Sequence, residues 1–120
     1  MEPFFDYERL EVYKVALEFL DAIFNVCEKL PRSLQSSLGD QLRRASLSIS
    51  NNIAEGSGKK SGKEKARYYS ISQDSARECI SMLNVLILRK IATTEEFNSL
   101  RTQGKRITGM IAGLINAINL

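Results

Sequence analysis

The stretch Gln41-Leu42-Arg43-Arg44-Ala45-Ser46-Leu47-Ser48-Ile49-Ser50-Asn51-Asn52-Ile53-Ala54-Glu55-Gly56 decides the fold. Set at 100° per residue, Leu38, Leu42, Ala45, Ile49 and Ile53 fall within roughly 80° of arc, the narrow apolar seam of a helix in a bundle. Beside that seam stand Gln41, Arg44, Ser48, Asn51, Asn52 and Glu55. Serine and asparagine are poor helix formers, so they are not here for propensity. Next to a core seam they predict hydrogen bonds to a neighbouring helix, with Arg44 pairing a carboxylate such as Glu55 or Glu78. Gln41, Ser48, Asn51, Asn52, Glu55 and Glu78 thus form a candidate polar network that sets bundle register.

Outward from this segment, helical periodicity covers nearly all of the 120 residues and divides into four segments, about 7–30, 37–56, 62–89 and 94–119. Pro31 stops the first, and Asp6 is its expected cap. Gly56-Ser57-Gly58 closes the second, its glycines being free to take left-handed geometry. Ser61-Gly62-Lys63-Glu64 and Thr93-Thr94-Glu95-Glu96 read as capping boxes that open the third and fourth. Four long helices with short connections predict an all-α, up-down-up-down antiparallel four-helix bundle in one domain.

The first helix carries more apolar surface than a single seam needs. Leu10, Tyr13, Ala16, Leu17, Leu20, Ile23, Phe24 and Cys27 form one face, and Val12, Val15, Phe19, Val26 and Leu30 widen it to about 220°. Ile80, Met82, Leu83, Val85, Leu86, Ile87 and Leu88 leave almost no polar side at the end of the third helix. Exposed, such a surface is an aggregation liability, so a homo-oligomer is expected, with Val12, Val15, Phe19, Val26, Met82, Val85 and Leu86 at the subunit interface.

Composition narrows the chemistry. Apolar residues make up 43% of the chain and charged residues 26%, ordinary globular values, and there is no histidine. Without imidazole the commonest base and metal ligand are missing, and no carboxylate pair is legible from spacing, so no enzyme, metal or cofactor is expected. Cys27 and Cys79 lie in apolar helical contexts with no CxxC spacing, and read as buried reduced thiols. The acidic opening Met1-Glu2-Pro3-Phe4-Phe5-Asp6 is unlike a signal peptide, and no apolar run reaches the roughly 20 residues of a membrane span. The expected location is cytoplasmic, away from membranes.

Charge is distributed unevenly about the net +3. Residues 1–40 hold four basic and eight acidic side chains, residues 41–120 thirteen and six. Arg43, Arg44, Lys59, Lys60, Lys63, Lys65 and Arg67 crowd one region against only Glu55 and Glu64. Such a patch favours a phosphate-bearing partner, RNA or DNA. Arg44 has the polar network as its other reading. Gly56-Ser57-Gly58-Lys59-Lys60 lacks both the preceding strand and the spacing of a phosphate-binding loop, which argues against nucleotide hydrolysis. By helical angle Tyr69 belongs to the core face and Tyr68 to its edge, so packing is expected for Tyr69 and an interface for Tyr68, with stacking of an exposed tyrosine on an unpaired base as the alternative.

The stretch from Gln41 to Gly56, followed by Ser57-Gly58-Lys59-Lys60-Ser61, resembles the signature of small bacterial four-helix-bundle proteins encoded in intervening sequences of 23S ribosomal RNA genes, the S23-like family. These are similar to the accessory variability determinant of diversity-generating retroelements. Phe5 with Leu10-Glu11-Val12-Tyr13-Lys14, Leu30-Pro31, Arg67-Tyr68-Tyr69 and Ser75-Ala76-Arg77-Glu78 extend the resemblance over roughly residues 4 to 90. It implies a ring-shaped homopentamer and nucleic-acid binding, since the retroelement relatives work with a reverse transcriptase and template RNA. A protein partner of that kind, held without nucleic-acid contact, is the alternative. Ser50 stands where proline is frequent in the family, which predicts a straighter second helix.

Overall fold

Four long helices carry the architecture: α1 (Glu11–Glu28), α2 (Asp40–Ser57), α3 (Gly62–Leu88) and α4 (Thr94–Asn116). The computed structural model describes residues 1–118, so the expected helix end at Asn119 lies outside the described residues. Each helix packs along its neighbours in the sequence, and α1 also packs on α4. With short turns between them this arrangement makes an up-down-up-down bundle of 45 × 27 × 23 Å. No described helix is long and apolar enough to cross a membrane.

The core draws on every helix. Phe19 and Ile23 of α1, Leu42, Ile49 and Ile53 of α2, Leu83 and Leu86 of α3, and Ile107 and Ile111 of α4 are fully buried. Burying one such side chain stabilises the fold by about 1.5–3 kcal/mol. The seam on α2 is therefore confirmed, Leu42, Ala45, Ile49 and Ile53 being buried and Leu38 half-buried.

The interface reading of α1 needs correction. Val12, Val15 and Phe19, together with Met82 and Leu86 of α3, are buried in this chain's own core instead of forming an exposed apolar face. The physical reason is that α1 lies against both α2 and α4, so a wide apolar arc is shared between two neighbours of the same bundle. Val26 is half-buried against that core, and only Val85, 42% exposed, remains open.

Helix ends also depart from expectation. Asp6 does not cap α1: a 3₁₀ turn over Asp6–Arg9 precedes it, Leu10 is extended, and the Glu8 carboxylate accepts hydrogen bonds from the Phe4 and Phe5 N–H groups. Asp6 instead lies 3.8 Å from Arg9. Between α1 and α2, a short helical turn Arg32–Leu34 and a π-helical turn Gln35–Gly39 replace a clean start near Ser37. Gln35 donates to the Cys27 and Leu30 carbonyls, satisfying the open end of α1. Ser61 Oγ accepts from Glu64 N–H at 3.1 Å, and Thr93 Oγ1 from Glu96 N–H at 3.2 Å, as expected of caps.

The glycines at the end of α2, Gly56 and Gly58, do not turn left-handed. Gly58 sits at φ −85°, ψ −8°, and among the described residues only Lys90, at φ 62° beyond the end of α3, has a positive φ. Gly56 serves close approach instead, since a Cβ there would lie 2.7 Å from the Tyr69 ring.

Candidate nucleic-acid interface

The turn between α2 and α3, Gly58 to Ser61, gathers the basic residues at one end of the bundle. Lys59 Nζ lies 4.9 Å from the centre of the Tyr68 ring and 3.8 Å from Glu55, while the Arg67 guanidinium lies 5.8 Å from the same ring. An aromatic ring attracts a cation over its face by about 0.5–1 kcal/mol at an exposed site. Tyr68 is half-buried and engaged by these cations, so its role here is to hold Lys59 and Arg67 near one another rather than to stand free for a base. Lys60 and Lys63 are exposed and, among the described residues, make no ion pair. Tyr69 is buried against Gly56, as its helical angle predicts, and burial pushes its hydroxyl pKa up.

Three of the seven basic candidates have other employment or another location. Arg43 is half-buried and bonds Asp40 at 3.3 Å and Gln35 Oε1 at 3.0 Å, locking the entry to α2. Lys65 Nζ donates to the Ser57 carbonyl at 2.8 Å and to that of Gly56 at 3.5 Å, closing the C-terminal end of α2 with positive charge. Arg44 is exposed in a furrow between α2 and α3 with Gln41, Ser48, Ser75 and Glu78. It makes no ion pair with Glu55 or Glu78 among the described residues, contrary to expectation.

The polar network is smaller than its motif. Ser48 and Asn52 are joined, Asn52 Nδ2 donating to Ser48 O at 2.8 Å and to its Oγ at 3.0 Å. Ser75 of α3 reaches Ser48 Oγ at 2.8 Å and makes the link across helices. Gln41 and Glu78 line the furrow, while Asn51 and Glu55 are exposed. Ser72, which sequence reasoning missed, donates to the Ile49 carbonyl at 2.7 Å inside the core. Gln73 likewise ties α3 to the Thr108 carbonyl of α4 at 2.9 Å. The signal for both was a polar residue on the inward side of α3, legible only once the facing helix is known.

Both cysteines are free and buried. Burial, with smaller contributions from Glu78 and Cys27, pushes the Cys79 thiol up to about 12. Burial likewise raises the pKa of Cys27, whose Sγ lies 3.5 Å from the Gly39 carbonyl. Neither thiol is poised as a nucleophile.

The fold and the hairpin together define a small helical-bundle protein with a basic turn at one end. Residues 8–113 match the family described as 23S rRNA-intervening sequence protein, and the chain belongs to that family. A crystal structure of a protein of unknown function from the S23 ribosomal protein family of Bacteroides thetaiotaomicron is similar, with a TM-score of 0.80 at 24% sequence identity. The likeness covers 87% of this chain and 97% of that one, and shows the shared fold. No curated protein matches the chain.

Proposed function

We propose that this is a non-enzymatic, oligomeric accessory protein that binds RNA or DNA through the tip of the α2–α3 hairpin. The observation that carries the reading is the grouping of Lys59, Lys60, Lys63 and Arg67 around one turn, with Lys60 and Lys63 exposed and unpaired among the described residues. Each phosphate neutralised releases condensed counterions, so a modest patch gains strength when it is repeated in an assembly. The family resemblance favours a ring of five subunits, which multiplies the patch fivefold. Arg43 and Lys65 serve the fold and are left out of the contact surface; Arg44 lies in the furrow, outside the hairpin cluster.

The test is fluorescence anisotropy with structured RNA and with duplex DNA across a salt series. Binding falls steeply with log salt. Lys60→Glu with Lys63→Glu weakens it and flattens the salt slope by about one for each phosphate that is no longer neutralised. Affinity no greater than that of an unrelated protein of equal charge sinks the proposal.

A protein-interaction scaffold is the second reading, favoured by Leu47 and Ile71, which stand exposed on α2 and α3. It predicts capture of a partner that survives nuclease treatment and is abolished by Leu47→Asp.

A further inference from the structure

An exposed aromatic pair and an open apolar pocket sit at opposite ends of the bundle. At the end with the basic hairpin, Phe4 is 88% exposed and Phe5 59% exposed. They are held in place, since both N–H groups donate to Glu8 and the Phe5 ring stacks on Tyr7, which packs edge-on against Tyr13. At the other end, Pro31, Leu34, Leu38, Val85, Leu86 and Ile91 line a pocket of about 240 Å³ between the two inter-helix connections. An apolar cavity of about 150 Å³ holds a benzene ring, so this pocket has room for a phenyl side chain. Leu88 beside it is 77% exposed.

We infer that the Phe4-Phe5 arm of one copy docks in the end pocket of a second copy. The inference rests on the homo-oligomer reading above and names the surfaces that mate. Charge supports the pairing: over residues 2–9 Glu2, Asp6 and Glu8 outnumber Arg9, which lies 3.8 Å from Asp6, whereas Arg89 is the one charged residue lining the pocket and Lys90 follows it. A chain cannot fill its own pocket. Tyr7 lies in a cleft with Ala54, Glu55, Gly58 and Lys59, which keeps the arm at the hairpin end. The 27 residues of α3 put about 40 Å between the two ends at 1.5 Å per residue. The contact therefore joins unlike surfaces, head to tail, and repeats from copy to copy until the rotation closes a ring.

Sedimentation velocity over a range of concentrations tests this on the full chain, with two variants whose altered side chains are all partly exposed. One carries Phe4→Ser and Phe5→Ser, the other Val85→Glu and Ile91→Glu, and circular dichroism verifies their helices. The wild-type protein associates, each variant alone sediments as a monomer, and an equimolar mixture recovers dimers and nothing larger, because one intact arm meets one intact pocket. Should the pocket variant unfold, Arg89→Glu takes its place. Variants that stay at the wild-type size overturn the arm-and-pocket contact while leaving the homo-oligomer reading intact. A mixture of monomeric variants that stays monomeric overturns it too. A wild-type protein that is monomeric throughout overturns both.

Discussion

Lys90 carries a backbone conformation that glycine would hold with less strain. The Ile91 N–H donates to the Leu86 carbonyl and the Lys90 N–H to that of Ile87, the paired bonds that close a helix through a left-handed residue. A lysine held at φ 62° bears a steric cost of roughly 1–2 kcal/mol from its Cβ. Lys90→Gly removes that cost but frees the unfolded chain, so a net gain of about 0.5–1 kcal/mol is expected. The denaturant midpoint reports it, and an unchanged or lower midpoint sinks the account. At the same scale, Glu8 shows how a local rule is satisfied by an unexpected residue. The first turn needed an acceptor for its open N–H groups, and the carboxylate three residues after Phe5 reached back where Asp6 did not.

At the scale of elements the α2–α3 hairpin is the most extensive contact, and Gly56 allows its close approach. A methyl group at this position would lie 2.7 and 2.8 Å from two carbons of the rigid Tyr69 ring and 3.2 Å from Tyr68 Cβ. Helix propensity alone favours Gly56→Ala by about 0.8–1 kcal/mol. Overpacking costs typically 1–3 kcal/mol, so the variant is expected to be less stable by about 1 kcal/mol, with the lysine turn displaced. Thermal unfolding checks the sign; a stabilised variant shows that the ring yields. The helices and the α2 seam were legible because a 3.6-residue apolar period is written in the chain. The hydrogen bonds of Ser72, Ser75 and Gln73 were not, since each depends on the height and rotation of a facing helix. The basic cluster was legible in part. Nearness in sequence found Lys60 and Lys63, but could not tell that Arg43 and Lys65 are engaged by carbonyl and amide oxygens or a carboxylate nearby.

Across the whole molecule, thiols and phenols taken out of water make stability sensitive to alkaline pH. The chain has no histidine, and burial raises the pKa of Cys27, Cys79, Tyr13 and Tyr69 alike, in Tyr13 with help from Tyr7 and Glu8. A thiol held neutral in the fold keeps its proton longer than it does in the unfolded chain. Between the ordinary thiol value of 9.0 and about 12 for Cys79, the unfolded state binds fewer protons than the native one, so stability falls as pH rises through that window. Below it the full contribution is present. The bundle is therefore expected to lose stability steadily above pH 9. Denaturant midpoints taken at neutral pH and within this window measure the loss. Cys79→Ala separates the cause from a general charge effect: the variant starts less stable, because a buried group has been removed, but its midpoint declines less with pH than that of the parent. An equal decline in both proteins would assign the alkaline loss to groups other than the Cys79 thiol.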